Sequence, residues 1–421
     1  MSTLLVVGQG YVGLPMALRA VEKGFDVIGL DLNAKVAADL NAGVSHIDDV
    51  SDADVAAALA KSYWATTDPA DISAADVVVV CVPTPLSDEG GPDLRAVQGA
   101  ARSIGEHVKP GALVILESTT YPGTTDEVFA PLVTRGELVV GEDVFIAFSP
   151  ERIDPGNPTY GVANTPKVVG GMTPECTKRA CDFYGAFIDT VVPVKGTKEA
   201  ETAKLLENTF RHVNIALVNE MVRFCQDLDI DLWESIDAAS TKPFGFMAFR
   251  PGPGVGGHCI PVDPSYLSHR VKAKLGYAFR MVELAEEINE AAPGYVAQRV
   301  WRILNEAKKP VNGAKVLLLG VTYKPNIADT RESPAVPLAN QLLGWGADVR
   351  FADPFVSTWN AHGLNGSFVA QDDVAAAAKE ADVVVLLQPH KRFDLDAIIA
   401  AGTPVLDTRG VIETQEIVTR L

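Results

Sequence analysis

The amino-acid sequence predicts an α/β protein in which two doubly wound parallel sheets are joined by one long central helix. Short apolar runs of strand length alternate with segments that can supply helices, first between residues 3 and 150 and again from residue 315 onward. A stretch of about thirty residues without proline or glycine separates the two series and is typical of a long helix. The first series of strand-like runs comprises 3–8, the run DVIGL that ends on Asp31, 76–82, 112–118 and 144–150.

Composition excludes several classes of partner. The chain has 421 residues, of which 47% are hydrophobic and 21% charged, so it can form two or three ordinary globular cores. A net charge of -18 argues against nucleic acid and anionic membrane as partners, because both require basic surfaces. The five cysteines are scattered without a CxxC pair, which predicts neither a disulfide framework nor a zinc site and favours a reducing, cytoplasmic location. No apolar run approaches the length of a membrane helix.

The first strand-like run ends in the glycine turn GQGYVG at residues 8–13. In a strand–turn–helix context, Gly8 makes the tight turn, Gly10 lets a pyrophosphate approach the helix N-terminus, and Gly13 lets helix and strand pack closely. Asp31 ends the next strand-like run, where a carboxylate accepts hydrogen bonds from the adenosine ribose and repels a 2′-phosphate. The pattern therefore predicts NAD as the cofactor, and the alternative is a simple tight turn with a solvent-exposed aspartate.

Three polar or proline-rich turns follow later strand-like runs, at residues 82–85, 118–125 and 149–158. Ligands of doubly wound sheets gather at the carboxyl ends of the strands. Thr84, Ser118 and Thr119 are therefore candidates to line the nicotinamide side of the site. Glu151 is a candidate general base, and the alternative role for it is a helix-capping acid.

A glycine- and proline-rich segment, GPGVGGHCIPVDP at 252–264, carries one cysteine and one carboxylate. Its glycines permit close approach or positive φ, and its prolines stiffen the path, so we expect a rigid loop that presents Cys259 beside Asp263. A buried structural cysteine is the alternative. In the long helix, Lys204 and Asn208 lie four residues apart and share a face, which suggests that both point at a site rather than forming an exposed stripe. The helix also has apolar residues on several sides, so it is expected to link domains and to form a subunit interface.

The final third of the chain repeats the α/β pattern as a second Rossmann-like domain whose first turn lacks GxGxxG. Lys324, Arg331 and Arg409 follow its strand-like runs and form a local basic set in an acidic protein. Such a set favours an anionic ligand such as a nucleotide diphosphate, and the alternative is three separate surface charges. The predicted domains are 1–195, 196–308 and 309–421.

Six motifs together resemble the UDP-glucose/GDP-mannose dehydrogenase family over essentially the whole chain. They are GQGYVGLP at 8–15, CVPTP at 81–85, SPER at 149–152, the helix with Lys204 and Asn208, the cysteine segment at 252–264, and YKPNIADTRESPA at 323–335. The segment TKPFGFMAFRPGPGVGGHCIPVDP looks most like the UDP-N-acetylglucosamine 6-dehydrogenase branch, although GHC stands where the glucose and mannose enzymes usually have GSC. UDP-N-acetylmannosamine and UDP-glucose 6-dehydrogenases are the alternatives. A two-electron hydroxyacid-type dehydrogenase explains the first 250 residues but leaves Cys259 without a role.

The resemblance implies a four-electron, NAD-dependent oxidation of a nucleotide-sugar C6 alcohol to a carboxylate, through a thioester. Carried over by motif, Cys259 is the nucleophile that captures the intermediate aldehyde. Lys204 and Asn208 stabilise the oxyanion, and Asp263 orders water and assists proton transfer. A cationic lysine beside the thiol would lower its pKa, and donors aimed at a developing oxyanion are commonly the largest catalytic contribution.

The same resemblance implies that Glu151 and Thr119 position or activate the hydrolytic water. It also implies a homodimer or higher oligomer in which Arg250 comes from a partner subunit. NAD binding is implied for Gly8, Gly10, Tyr11, Val12, Gly13, Asp31, Thr84, Ser118, Thr119 and Arg331. Binding of the UDP-sugar is implied for Glu151, Arg152, Lys204, Asn208, Arg250, Gly256, Lys324 and Arg409.

Overall fold

The computed structural model describes residues 2–47, 50–87, 91–153, 157, 159–257 and 259–421. The chain divides into two compact units. The first unit contains Met1–Glu207 and Ser265–Tyr277, and the second contains Asn208–Pro264 and Ala278–Leu421. Two of the three boundaries, at 207/208 and 264/265, fall within helices, and the third, at 277/278, falls between helices. The three-domain division stays a prediction.

An eight-stranded sheet forms the centre of the first unit. Its strands are β1 (Thr3–Val7), β2 (Asp26–Leu30), β3 (Tyr63–Thr66), β4 (Val77–Val80), β5 (Leu113–Leu116), β6 (Phe145–Phe148), β7 (Lys167–Gly171) and β8 (Val191–Pro193). The spatial order is β3-β2-β1-β4-β5-β6-β7-β8, and β6 with β7 is the antiparallel pair among otherwise parallel neighbours. The central strands are unbroken apolar runs, such as the four valines of β4, because both faces of a parallel sheet are covered.

Helices cover both faces of this sheet, over two separate hydrophobic clusters. They are α1 (Gly13–Glu22), α2 (Ala34–Asn41), α3 (Asp52–Leu59), α4 (Arg95–His107), α5 (Ala130–Thr134) and α6 (Pro174–Gly185). Polar side chains define several starts: Ser51 and Asp54 form a capping box at α3, and Thr173 accepts a hydrogen bond from the backbone N–H of Cys176 at α6. The doubly wound architecture predicted for this region is confirmed.

Four long or medium helices follow: α7 (Thr197–Asp227), α8 (Leu232–Ser240), α9 (Cys259–Leu275) and α10 (Arg280–Glu306). The predicted central helix is confirmed as α7, whose 31 residues contain neither proline nor glycine. Among the described helices, none is long and apolar enough to cross a lipid bilayer.

Two expectations about this region were wrong. The cysteine segment was expected to remain a loop to residue 264, but α9 begins at Cys259 and includes Asp263. Pro261 lies in its first turn, where a missing backbone N–H costs nothing because those N–H groups have no helical acceptor. The sequence PG at 293–294 was expected to break or start a helix, but α10 continues through Pro293, which is buried. Packing there outweighs the one lost hydrogen bond.

A five-stranded parallel sheet forms the centre of the second unit, and its strands and helices alternate along the chain. The elements are β9 (Lys315–Leu319), α11 (Ala335–Gly344), β10 (Asp348–Ala352), β11 (Thr358–Trp359), β12 (Phe368–Val369), α12 (Val374–Glu380), β13 (Val383–Leu386), α13 (Leu395–Ala400), β14 (Val405–Asp407) and β15 (Val418–Arg420). The sheet order is β10-β9-β13-β14-β15, and β11 and β12 form a small antiparallel pair beside it. The second doubly wound sheet is therefore confirmed.

Both sheets reverse their strand order at one place. In the first sheet the chain proceeds outward from β1 to β2 on one side and to β4 on the other. In the second sheet it does the same from β9, toward β10 and toward β13. A crevice opens at the carboxyl ends of the strands that flank such a reversal, and this is where doubly wound sheets bind ligands.

Candidate active site

The glycine turn of the first unit connects β1 to α1 at the reversal point. Gly8 has a φ of +92°, and a Cβ on Gly13 would lie 1.9 Å from the backbone oxygen of Gly8. Neither position therefore tolerates a larger residue without backbone movement. By contrast, no described atom lies within 4 Å of a Cβ built on Gly10. The turn is packed from behind and open in front, which fits a dinucleotide pyrophosphate at the N-terminus of α1.

Asp31 follows β2 and is anchored to the same turn. Its two carboxylate oxygens accept hydrogen bonds from the backbone N–H groups of Gln9 and Asn33, both at 2.9 Å. The carboxylate is thus held beside the glycine turn, where an adenosine ribose would lie. Tyr11 is 47% exposed and Val12 is the N-cap residue of α1, so both belong to the surface of this turn.

The turns after β4 and β5 are tied together. The Ser118 hydroxyl donates to the backbone oxygen of Val82 at 2.8 Å. The backbone oxygen of Thr84 accepts a hydrogen bond from the hydroxyl of Tyr266, which is fully buried. Ser118 and Thr84 therefore lie at one edge of the sheet, on the β4 side of the reversal point.

Lys204 and Thr119, two candidate catalytic residues, form the first hydrogen-bonded pair. The Lys204 ammonium lies 2.5 Å from the Thr119 hydroxyl, so α7 and the turn after β5 meet at these two side chains. Sequence reasoning proposed both residues but did not foresee their contact.

Glu201, one turn before Lys204 on α7, was missed from the sequence. Its buried carboxylate accepts hydrogen bonds from the backbone N–H groups of Gly123 and Thr125 and from the Thr125 hydroxyl, at 2.6 to 2.9 Å. Burial raises the pKa of Glu201 to about 7, although these three donors lower it. Glu201 therefore fixes the turn that carries Thr119 onto α7.

Glu151 and Arg152 follow β6, and part of their turn, residues 154–156 and 158, lies outside the described residues. The Glu151 carboxylate lies 3.1 Å from the ammonium of Lys167. The Arg152 guanidinium contacts the Glu207 carboxylate at 2.6 Å and the backbone oxygen of Pro166 at 2.8 Å. Lys167 and Glu207 are partners that the sequence analysis did not name.

Asn208 and Asp263, also candidate catalytic residues, form a second hydrogen-bonded pair, in the second unit. The Asn208 amide donates to the Asp263 carboxylate at 2.6 Å, and both side chains are buried. Asn208 lies on α7 one turn after Lys204. Successive turns of this helix thus supply one member of each pair.

The glycines of the cysteine segment are required by packing within the second unit. A Cβ on Gly256 would lie 2.7 Å from Tyr323, and one on Gly257 would meet the Tyr323 ring at the same distance. The backbone N–H of Gly252 donates to the amide oxygen of Asn219 at 3.0 Å. The Cys259 side chain and His258 lie outside the described structure, so the predicted nucleophile is placed only by its backbone, at the start of α9.

Asn219 belongs to a buried polar cluster that sequence reasoning also missed. Its amide donates to Asn289 at 3.0 Å, and the Asn289 amide donates to the backbone oxygen of His212 at 3.2 Å. Burial lowers the pKa of His212 to about 4, so the imidazole is neutral near pH 7. The cluster joins α7 and α10 to the start of the cysteine segment.

The three predicted basic residues of the second unit follow strands of its sheet. Lys324 and Arg331 follow β9, and Arg409 follows β14. Arg409 donates to the backbone oxygen of Leu387 at 2.6 Å, and its guanidinium lies 3.0 Å from a Cβ built on Gly252. Burial lowers the pKa of Arg409 to about 10, so it remains a cation at neutral pH.

Arg331 and Arg250, the other two arginines of the second unit that were predicted to bind a ligand, each contact an aspartate. Arg331 is exposed and contacts the Asp329 carboxylate at 2.5 Å. Arg250 pairs with Asp237 and lies over the Trp233 ring, at 5.6 Å from its centroid. The second unit thus brings the cysteine segment together with Tyr323 and Arg409, whereas Arg250 and Arg331 are paired with residues that belong to no candidate site.

The glycine turn, the fixed Asp31 and two doubly wound sheets define an NAD-dependent dehydrogenase. Three family models match successive parts of the chain: the NAD binding domain of the UDP-glucose/GDP-mannose dehydrogenase family at residues 2–188, its central domain at 198–291, and its UDP binding domain at 317–414. The chain belongs to the UDP-glucose/GDP-mannose dehydrogenase family. It is an NAD-dependent nucleotide-sugar dehydrogenase.

Similar proteins span nearly the whole chain. An NDP-N-acetyl-D-galactosaminuronic acid dehydrogenase from Ralstonia nicotianae is 37% identical, over 99% of this chain and 97% of the relative. A UDP-N-acetyl-D-mannosamine dehydrogenase from Escherichia coli K12 is 37% identical, over 93% of this chain and 94% of the relative. The structure of a UDP-D-ManNAc dehydrogenase from Pyrococcus horikoshii superposes with a TM-score of 0.89 at 31% identity, covering 99% of this chain and 98% of that one.

Proposed function

We propose that this dehydrogenase oxidises the C6 alcohol of a UDP-N-acetylhexosamine to the carboxylate. Relatives that act on N-acetylated sugar nucleotides, as their names state, support the N-acetylhexosamine class. UDP-N-acetylglucosamine, favoured by the cysteine segment, is our first choice of substrate, and UDP-N-acetylmannosamine, favoured by the names of the relatives, is the second.

One observation carries the proposal: successive turns of α7 each supply a member of a hydrogen-bonded pair, Lys204 with Thr119 and Asn208 with Asp263. The Lys204 ammonium, the Thr119 hydroxyl and the Asn208 amide are hydrogen-bond donors, and the Asp263 carboxylate is an acceptor. A carbonyl carbon that becomes tetrahedral needs both kinds of group around it. Donors placed before the reaction lower its barrier because they need not reorganise.

We assign the chemistry as follows. NAD⁺, held at the glycine turn and Asp31, supplies the hydride acceptor for both oxidations. Lys204 and Asn208 donate to the oxygen at C6 as it becomes an oxyanion. Cys259 captures the aldehyde and, after the second oxidation, carries the acyl group as a thioester. Asp263 orders water and assists proton transfer.

Hydrolysis of the thioester is assigned to Glu151 and Thr119. Glu151 accepts a proton from the attacking water, and Thr119 helps to position that water. The carboxylate of Glu151 is oriented by its ion pair with Lys167, and the hydroxyl of Thr119 by its contact with Lys204.

Binding roles are assigned to residues at the carboxyl edges of the two sheets. Lys324 and Arg409 would hold the diphosphate of the sugar nucleotide, because both follow strands of the second sheet and both are cations. Further substrate contacts are assigned to Glu151, Arg152, Lys204, Asn208, Arg250 and Gly256. Beyond the glycines and Asp31, NAD contacts are assigned to Tyr11, Val12, Thr84, Ser118, Thr119 and Arg331.

We also propose a homodimer through α7. Phe210, Leu217 and Phe224 are about half exposed and recur every seven residues, so they form one apolar seam. The ring of Phe249 packs edge-on against Phe210 at 5.7 Å, which places the neighbouring Arg250 beside this seam. Light scattering should give twice 44.8 kDa for the wild type and 44.8 kDa for Leu217→Glu. A monomeric wild type at assay concentration would refute the dimer.

The defining experiment counts NADH per sugar. Wild-type protein should release two NADH per molecule of UDP-N-acetylglucosamine and form a C6 carboxylate, with lower kcat/KM for UDP-glucose and GDP-mannose. Cys259→Ser should lose sustained turnover and form at most one NADH per site, because a hydroxyl neither forms nor releases the acyl intermediate readily.

Two outcomes would contradict the proposal. Near-normal turnover at two NADH per sugar in Cys259→Ser would make the thiol structural. One NADH per substrate in the wild type would favour the two-electron alternative. A better rate with UDP-N-acetylmannosamine or UDP-N-acetylgalactosamine would correct the sugar and keep the mechanism.

A further inference from the structure

Three ionisable side chains are buried against one another in the first unit. The Lys167 ammonium lies 3.0 Å from the Glu117 carboxylate and 3.1 Å from the Glu151 carboxylate. The exposed fractions of the three side chains are 8%, 0% and 13%. A lysine is rarely buried to this extent unless it is paired, and here it bridges two acids.

Strand direction explains how the three meet. Glu117 directly follows β5, and Glu151 lies three residues beyond the end of β6. Because β7 runs antiparallel to β6, its first residue, Lys167, lies beyond the carboxyl end of β6. A parallel β7 would place this lysine at the opposite edge of the sheet. The antiparallel pairing of β6 and β7 therefore places Lys167 at the carboxyl edge of the sheet, beside Glu117 and Glu151.

The two acids have different surroundings. Burial by itself raises the pKa of Glu151, but Lys167 and the backbone N–H of Ile153 hold it below the ordinary value. Burial raises the pKa of Glu117, and Lys167 offsets only part of the increase. The titratable groups facing the cluster are Lys204 on α7, Cys81 after β4 and Tyr184 on α6.

Cys81 and Tyr184 remain neutral near Glu117. The Tyr184 hydroxyl donates to the Glu117 carboxylate, and the Cys81 sulfur lies 3.8 Å from it. Burial, followed by the charge of Glu117, raises the pKa of both groups well above their ordinary values. Glu117 is thus the acid that would bind an added proton, and Glu151 is the acid that stays charged.

We propose that Lys167, balanced by Glu117, is a positioning residue that orients the Glu151 carboxylate and keeps it charged for hydrolysis of the acyl intermediate. This inference rests on the proposed function. In the step concerned, the water oxygen bonds to the acyl carbon and the carbon–sulfur bond breaks. One water proton passes to Glu151 and the other to the departing Cys259 sulfur, with no change of oxidation state. Lys167 touches no reacting atom in this step.

The test measures how the rate of thioester hydrolysis depends on pH. It compares two substitutions that should shift the acid limb of this profile, where the rate falls at low pH, in opposite directions. Lys167→Met leaves two buried carboxylates without a cation, so Glu151 should gain a proton at higher pH. The acid limb of thioester hydrolysis should move up by about one pH unit, which lowers the hydrolysis rate by about tenfold on that limb. Glu117→Gln removes the competing acid, so Lys167 pairs with Glu151 alone. The acid limb should therefore move to lower pH.

The measurement uses full-length protein with NAD⁺ and the UDP-sugar that gives two NADH in the wild type. Quenched-flow mass spectrometry follows the acyl adduct on the protein between pH 5 and 9. Lys167→Met should accumulate the adduct at pH 6, and the charge-balanced Glu117→Gln/Lys167→Met should recover at least half of the lost rate. Lys178→Met, an exposed lysine of α6, is the control and should match the wild type.

The result that overturns the inference is an acid limb that stays in place in both single variants while rates fall equally at every pH. If Lys167→Met does not fold, Glu117→Gln decides: an unmoved or raised limb refutes the inference. A wild type that yields only one NADH per sugar would instead overturn the proposed function, so the two failures are distinguishable.

Discussion

The turn after β1 and the turn after β9 occupy equivalent places in their sheets, but they present different chemistry. The first turn presents backbone. Gly8 and Gly13 are packed against backbone from behind, while Gly10 faces open space, so N–H groups at the start of α1 are accessible to an anion. Side chains contribute through Asp31, whose carboxylate accepts hydrogen bonds from the backbone N–H of Gln9 in this turn and from that of Asn33, the N-cap residue of α2.

The second turn presents a cation on a pinned loop. Gly320 has a φ of +78°, and a Cβ built on Gly320 would lie 2.6 Å from the Cβ of Gln388. The Gln388 amide donates to the backbone oxygen of Tyr323 at 2.8 Å, and the backbone N–H of Asn326 donates to His390 at 2.9 Å. Lys324 lies between these two anchored residues. The two sheets have the same winding, but the residues of the turn after the first strand of each sheet differ. These residues therefore determine which ligand groups each sheet can bind.

The largest expected effect tests the packing of the first turn. Gly13→Ala should lower the free energy of unfolding by about 3 kcal/mol or more, because a methyl group 1.9 Å from a backbone oxygen forces the turn apart. Gly10→Ala is the matched control. It should change stability by less than about 0.5 kcal/mol and raise the KM for NAD⁺. Urea denaturation measures the stability of both variants, and initial rates measure their KM for NAD⁺. Equal destabilisation by the two variants would contradict a turn in which Gly13 is tightly packed and Gly10 is not.

The next effect concerns the stability that the first unit loses as pH rises. Because the pKa of Glu201 is about 7 in the folded state and lies near 4.5 when unfolded, its contribution to stability is present below about pH 4.5 and is lost as pH rises through 7. The loss should reach about 3 kcal/mol by pH 8. Urea denaturation from pH 5 to 8 should show this slope in the wild type and in Glu199→Gln, an exposed carboxylate of the same helix. The slope should be flatter in Glu201→Gln; identical slopes would remove Glu201 as its source.

The second unit should respond with the opposite sign. The pKa of His212 is about 4 in the folded state, below its ordinary 6.5, so its contribution is present above pH 6.5 and is lost as pH falls toward 4. We expect a loss of about 2 kcal/mol by pH 5, because each pH unit below 6.5 costs about 1.4 kcal/mol until the imidazole gains its proton. His212→Gln should remove this dependence in urea denaturation between pH 4 and 7. If it leaves the slope unchanged, another group titrates.

The smallest expected effect sharpens the contrast between the turns. Lys324→Ala should weaken binding of UDP by about tenfold, the loss of one charge-assisted contact, and leave the Kd for NAD⁺ unchanged. Lys391→Ala, an exposed lysine on the turn after β13, is the control for general charge and should bind UDP as the wild type does. Isothermal titration calorimetry measures each. A parallel loss in both variants would indicate bulk electrostatics instead of a specific contact.

Several features of this protein were determined by local sequence alone. The glycine turn at 8–13 with Asp31, the succession of apolar runs and the uninterrupted α7 are patterns over short stretches, and each appears in the structure where it was predicted. Lys204 and Asn208 could be assigned to one helix face for the same reason, since helical spacing is fixed by backbone geometry. These features needed no knowledge of what packs against them.

Other features were decided only by tertiary structure. The direction of β7 depends on its pairing with β6, and a short run such as KVVGG carries no mark of that direction. The start of α9 at Cys259 and the continuity of α10 through Pro293 depend on packing that outweighs the local preference of proline.

Buried charges were the least accessible to sequence reasoning. Glu201 and Lys167 look like ordinary surface residues in the sequence, because their roles arise from donors and acids brought to them by distant segments. A charged group can be buried only where such partners meet it, and their positions are set by the packing of the whole sheet.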